Sequence, residues 1–195
     1  MMSLPMLNSA KYEMTIPSTG KTIQYRPFVV KEEKVLLTVL ESNDMKQITS
    51  AVRNLVEVCT FNEVKVAELA MFDLEYIFLK LRAKSVGENA TILIPCSSCD
   101  HKNEVQVNVD EIELDGDPKA AEKIQLSPDV GVRMKFPTVE IVEKMMKSTE
   151  GTSIDVILSL VASSIDAIYD AENVYPAKDH RPEEILEFVE SLNKE

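Results

Sequence analysis

A chain of 195 residues, 45% hydrophobic and 28% charged, has the make-up of an ordinary folded protein of one domain or two small lobes, and its 5 Gly and 9 Pro are too few for a disordered or collagen-like chain. The net charge of −12 is spread along the chain, and its basic stretches, Lys31 to Lys34 and Lys80 to Lys84, are interrupted by Glu32 and Glu33 or by Leu81 and Ala83. That field argues against nucleic acid as a partner.

Tyr12, Met14 and Ile16 alternate with polar neighbours, Pro17-Ser18-Thr19-Gly20 supplies turn chemistry, and Ile23 and Tyr25 resume the alternation, which predicts a β-hairpin. Pro27 closes it. Lys31 to Glu41 carries Val35, Leu36, Val39 and Leu40 at helical spacing, and Ser42-Asn43-Asp44 ends that helix. Met45 to Cys59 puts Ile48, Val52, Leu55, Val56 and Cys59 on one stripe, an amphipathic helix with its cysteine turned inward. A short helix is expected over Glu63 to Leu69. Asp73 then suits the cap of a longer helix bearing Leu74, Ile77, Phe78 and Leu81, which ends near Gly87.

From Thr91 the period changes. Ile92 and Ile94 lead into a turn over Cys96 to Asn103, and Val105, Val107 and Val109 alternate beyond it, a second hairpin. Gly116-Asp117-Pro118 reads as a linker. Ile124 and Leu126, the turn from Ser127 to Gly131, and Val132, Met134 and Phe136 make a third hairpin. Thr138 suits the cap of a helix with Val139, Val142, Met145 and Met146. After a polar loop from Ser148 to Ser153, the stripe Ile154, Ile157, Leu158, Val161, Ile165 and Ile168 predicts one more. A break over Asn173 to Arg181 precedes a final helix with Pro182 in first position, Glu183 and Glu184 at its positive end, and Ile185, Phe188, Val189 and Leu192 on its face. The expected fold is α+β, antiparallel β-hairpins flanked by two groups of amphipathic helices. Its segments are 1–88 (hairpin plus helical cluster), 89–137 (β-hairpins with the cysteine turn) and 138–195 (C-terminal helices), packed as one compact unit.

No apolar run approaches the roughly 18 to 20 residues that cross a bilayer, so no membrane insertion is expected. Met1 to Ala10 lacks a secretory pattern, and three cysteines, an odd number, point to reduced thiols or a metal site in a protein that stays in the cytoplasm. Cys96-Ser97-Ser98-Cys99 resembles half of a zinc knuckle, two thiolates on one side of a turn, so Cys96 and Cys99 are the candidate metal ligands and zinc the candidate ion. Cys59, His101 and His180 are the remaining donors. The alternative reading of the turn is a reduced-thiol loop without metal. For catalysis the supply is thin: two histidines, no G-x-S-x-G elbow, no H-E-x-x-H and no phosphate-cradling loop. A hydrolase built on His180 is the weakest of the readings, and the expectation is a non-enzyme.

The stretch Pro17-Ser18-Thr19-Gly20-Lys21 with Tyr25-Arg26-Pro27-Phe28-Val29-Val30-Lys31-Glu32-Glu33-Lys34, and the later block Phe72-Asp73-Leu74-Glu75-Tyr76-Ile77-Phe78 with Leu81-Arg82-Ala83-Lys84-Ser85-Val86-Gly87, resemble signatures of the baseplate hub subunit family of T-even-like contractile-tailed phages. The likeness runs in order along most of the chain from Leu4 onward. It implies a late protein needed to build the central hub of the phage baseplate by binding other hub or tape-measure proteins. It implies no catalysis and no small-molecule substrate, and a place in the host cytoplasm during assembly or in the virion itself, as assembly chaperone or hub subunit. Within the signatures, Arg26 can offer its planar guanidinium to Glu32, to Glu33 or to a partner's carboxylate, the internal role being preferred. Arg26, Phe28, Lys31 and Lys34 form one candidate partner-binding patch, and Arg82 and Lys84, which also suit a helix C-terminus, form another. A zinc-ribbon adaptor for protein interaction is the competing class.

Overall fold

The computed structural model describes residues 9–99, 101–116, 123–147 and 153–192. The fold is α+β, with hairpins and small antiparallel sheets among amphipathic helices. It divides into two compact units: the first comprises the described residues up to Val66 and from Phe72 to Gly116, and the second comprises Ala67–Met71 with the described residues from Lys123 onward.

The first unit opens with β1 (Tyr12–Thr15) and β2 (Thr22–Tyr25), paired so that Met14 faces Ile23 and Tyr12 faces Tyr25. Gly20, at φ +68°, takes the left-handed turn position that a Cβ disfavours. The inward residues of this hairpin, Met14, Ile16, Ile23 and Tyr25, are all buried. Then come α1 (Val30–Glu41), α2 (Met45–Cys59) and α3 (Met71–Ser85). Asp44 starts α2 by accepting the Lys46 and Gln47 amides at 2.9 and 3.4 Å. Leu55, Val56 and Cys59 of α2 and Leu74, Ile77 and Leu81 of α3 are buried. Gly87 follows α3 at φ +133°, as the stop there requires. The helix expected over Glu63 to Leu69 is only a single turn, Val66–Glu68, because three residues cannot repay helix nucleation.

Asp73 differs in role from its expectation. The helix already begins at Met71, and the Asp73 carboxylate, with no solvent exposure, receives the Ser18 N–H at 3.0 Å and the Ser18 hydroxyl. It staples the first hairpin's turn to α3. Further bonds tie the hairpin's exit to the ends of both long helices: Arg26 N–H to the Cys59 carbonyl at 3.0 Å, and Phe28 N–H to Ser85 Oγ at 2.9 Å.

β3 (Asn89–Pro95) and β4 (Lys102–Asn108) pair along seven residues in a sheet of their own. No residue of either strand is buried. The hairpin's base is fixed by Val109 N–H donating to the Glu88 carbonyl at 2.7 Å, by Lys84 reaching Asp110 at 3.0 Å, and by Lys80 Nζ donating to the Asp110 carbonyl.

The second unit is a four-stranded antiparallel sheet in the order β5 (Lys123–Gln125), β6 (Gly131–Met134), β7 (Ile165–Tyr169), β8 (Val174–Pro176). With it go α4 (Val139–Lys147), α5 (Ser153–Ser163) and α6 (Pro182–Glu190). Its core is Val132, Ala162, Ile165, Ile185 and Val189. Gly131 is required beside Tyr169, since a Cβ there would stand 2.4 Å from the ring. Two expectations change. The stripe expected to run in one helix through Ile168 leaves the helix after Ser163, and Ile165–Tyr169 becomes an inner strand; the break expected at Asn173 to Arg181 contains β8. Ile165, Ala167 and Tyr169 alternate as well as Ile165 and Ile168 fit a helix, and pairing with both β6 and β8 decides between the periods. Asp117 and Pro118 of the expected linker, the expected loop at 148–152 and the Met146 side chain lie outside the described residues.

If the Asp73 staple holds the first unit together, Asp73→Ala, which leaves the Ser18 donors without their acceptor, lowers unfolding free energy by about 2–4 kcal/mol in urea titrations, whereas Asp44→Ala at the exposed cap of α2 costs less.

Candidate functional site

Ordinary amphipathic helices bury their apolar stripe, and α1 does not. It has no buried residue, and Val30, Val35, Leu37 and Leu40 are each at least half exposed. α1 and α2 pack against each other and leave between them an open groove of about 540 Å³, walled by Val35, Leu36 and Val39 from one helix and Ala51, Leu55 and Val58 from the other. Lys31 and Lys46 border it. Glu32 also borders it, and its carboxylate is held in a forked pair by Arg26, with 3.0 and 2.7 Å contacts. That pair holds the Glu32 carboxyl below its ordinary range, and the Val29 N–H, donating at 2.8 Å, adds to the effect. The groove thus has an apolar floor and basic ends.

The β3–β4 hairpin is a second exposed apolar surface. Ala90, Ile92 and Ile94 stand opposite Val107, Val105 and Asn103, so one face is almost wholly apolar, while the other carries Thr91, Leu93, Glu104 and Gln106. Ile92, Ile94 and Val105 are 45%, 49% and 38% exposed. Such a face on a two-stranded ribbon is uncovered within its own unit. A third lies on α5, where Ile154 and Ile157 are 66% and 58% exposed.

The residues singled out from the sequence fall into two groups. Arg26 is committed to Glu32 within the chain and also donates to the Pro27 carbonyl at 3.0 Å, while Phe28 is buried. Lys84 bridges Glu88 at 2.6 Å and Asp110, which raise its pKa, and Arg82 donates to the Gly87 carbonyl at 3.1 Å. Lys31 lies at the groove and Lys34 is exposed on α1. The Phe28 to Ser85 bond joins the first signature to the C-terminal part of the second, so the two sequence blocks meet in one place. The apolar groove itself escaped sequence reading, because a Val35, Leu36, Val39, Leu40 stripe looks the same whether it is buried or displayed.

Of the cysteines, Cys59 is buried at the end of α2, and burial pushes its thiol up to about 11. Cys96 is half-buried and Cys99 exposed at the tip of the second hairpin, where Cys96 N–H donates to the His101 carbonyl at 2.8 Å. The Ser98 and Cys99 amides donate to the Cys96 sulfur and hold its pKa below the ordinary thiol value. Among the described residues no cluster of three or more His, Cys, Asp or Glu side chains is placed to hold a metal ion. His180 sits beside the Tyr175 ring and 3.4 Å from Glu184 Oε2, on an exposed loop. No helix is long and apolar enough to cross a membrane among the described residues.

Compared with known proteins, residues 9–195 match the family described as T4 bacteriophage base plate protein, and the chain belongs to that family. It is a protein of the T4-like phage baseplate. Neither the curated proteins nor the solved structures contain a match to it.

Two outcomes test the site chemistry. Arg26→Ala costs about 1.5–3 kcal/mol of stability by leaving Glu32 without its charged partner. A carboxyl with a lowered folded pKa stabilises fully above its unfolded value and loses that contribution as pH falls through the folded value, so the variant's loss relative to the parent shrinks below pH about 4. In alkylation at pH 8 followed by peptide mass spectrometry, Cys96 and Cys99 are modified while Cys59, with about one thiolate in a thousand and no access, stays free until the protein unfolds.

Proposed function

We propose that the protein is a non-enzymatic assembly protein of the phage tail, which helps build the central hub of the baseplate by binding other hub or tape-measure proteins. The observation that carries this reading is α1, a helix with apolar residues on display and a groove beside it, in a chain of the baseplate family. A groove with an apolar floor fits one amphipathic helix, read through anchors at i, i+3 or i+4 and i+7. Lys31 and Lys46 at its ends favour a partner helix with acidic flanks. The occupant proposed is therefore such a helix in a hub or tape-measure protein. Arg26 and Lys84, committed within the chain, shape the surface from behind, and Lys31 and Lys34 meet the partner directly. Docking of this kind suits a hub subunit or a chaperone acting in the host cytoplasm, and it asks for no turnover of any small molecule.

Tagged protein expressed in phage-infected cells is expected to recover a hub or tape-measure protein, and Val35→Asp, which places a charge in the groove at a position 54% exposed, is expected to cut that recovery at least tenfold with the thermal midpoint nearly unchanged. Presence in finished virions marks a hub subunit, and absence marks a chaperone. Recovery of no tail protein, or undiminished recovery with the variant, overturns the reading.

A further inference from the structure

Each strand of the β3–β4 ribbon bonds to the other along one edge and turns its second edge outward. The bonds at the ribbon's two ends fix which residues point which way: Cys96 N–H donates to the His101 carbonyl at 2.8 Å and Val109 N–H to the Glu88 carbonyl at 2.7 Å, both in step with the register between them. Antiparallel strands alternate bonded and non-bonded pairs, so Ala90, Ile92 and Ile94 bond inward to Val107, Val105 and Asn103. The amides and carbonyls of Asn89, Thr91 and Leu93 therefore point outward on β3, and those of Lys102, Glu104, Gln106 and Asn108 point outward on β4. Among the described residues no further strand pairs with either edge.

The two edges are not equivalent. Pro95 stands at an outward position of β3 and has no N–H to offer, a device by which edge strands refuse another strand. β4 has no such block, and each of its four outward residues keeps a donor and an acceptor. Charge points to what can approach. In a chain of net charge −12, the two strands carry just Lys102 and Glu104 as charged side chains, so two copies that repel elsewhere can meet here without excess charge. A two-stranded ribbon with no buried residue is marginal in water, whereas more strands sharing an apolar face make a stable sheet.

We propose that β4 pairs antiparallel with β4 of a second copy of this chain, about a two-fold axis through Val105, joining two ribbons into one four-stranded sheet. This register sets Glu104 opposite Gln106 of the second copy and Lys102 opposite its Asn108, so all four outward residues bond and no like charges face each other. Sliding the strands until Glu104 faces its own copy would set two carboxylates together. Val105 meets Val105 of the second copy at a non-bonded pair, where side chains come closest, and the apolar faces of the two ribbons become continuous. The Asn108 ends of the two ribbons stand about 20 Å apart along the strands, more than two Debye lengths at physiological salt, so the acidic remainder of each chain opposes the join only weakly. The contact uses the hairpin edge and leaves the α1–α2 groove free, so it holds or fails independently of the proposed partner.

Sedimentation equilibrium of the reduced full-length protein is expected to show reversible association between 21.9 kDa and twice that mass, tighter at higher salt as the residual repulsion is screened. Gln106→Pro removes one outward amide and no bond within the ribbon, and is expected to weaken the dimer at least tenfold. Thr91→Pro, the same change on the β3 edge, leaves it intact. Gln106→Glu, which faces a carboxylate with Glu104 of the second copy, weakens the dimer without altering the backbone. Val105→Cys, in a Cys96→Ser/Cys99→Ser background, is expected to oxidise to a covalent dimer, since non-bonded pairs hold their Cα atoms about 4.5 Å apart, within disulfide reach. Far-ultraviolet spectra unchanged from the parent verify that the variants are folded. A monomer alone at submillimolar concentration, a dimer indifferent to both Gln106 variants, loss of the dimer in Thr91→Pro, or failure of Val105→Cys to cross-link overturns the assignment.

Discussion

One buried carboxylate organises the first unit. Asp73 has no exposure to solvent, and a polar group in that position is tolerated only where hydrogen bonds replace the water it has lost. Ser18 supplies two, one from its backbone and one from its hydroxyl. The consequence reaches beyond the pair. With the turn of the first hairpin held to the start of α3, the hairpin's exit meets the ends of α2 and α3 through the Arg26 and Phe28 amides, and the inward faces of hairpin and helices close over Ile23, Val56, Ile77 and Leu81. The two signature blocks, far apart in the chain, are the two sides of this closure.

What the closure leaves outside matters as much for function. α1 lies beyond the core, attached through its contact with α2 and through Arg26, whose guanidinium joins β2's exit to Glu32 in the helix's first turn. The β3–β4 ribbon is held at its base by Lys80, Lys84 and Asp110 and is exposed along its length. In the second unit α5 shows Ile154 and Ile157 to solvent although its other side contributes Ala162 to the core. A lone protein gains nothing from apolar faces in water. A baseplate protein, whose work is done against neighbours, has a use for them.

Several conspicuous charges turn out to serve the fold. Arg26 and Lys84 looked like contact residues because charged groups inside signature blocks invite that reading, yet each has partners within the chain. Partial burial strengthens the Arg26 pair relative to an ion pair in open solvent, since the planar fork fits the carboxylate and water is largely excluded. The exposed surface that remains for a partner is mostly apolar, with lysines at its margins.

The sequence by itself determined the class and most of the local structure. Period-two runs around turns placed all three hairpins, and helical stripes with Asp44, Gly87 and Pro182 at their ends placed α1, α2, α3 and α6 close to their observed limits. It also showed that the cysteine turn lies between strands, and its signature blocks pointed to the phage baseplate. Only the tertiary structure decided the fate of residues 165–169, because their helix and strand periods agree and the choice depends on pairing with β6, distant in the chain, as well as with β8. Only it could divide the apolar stripes into buried ones, as on α3, and displayed ones, as on α1. The physical reason is the same in both cases: periodicity records which side of an element is apolar, whereas burial depends on whether another element arrives to cover that side.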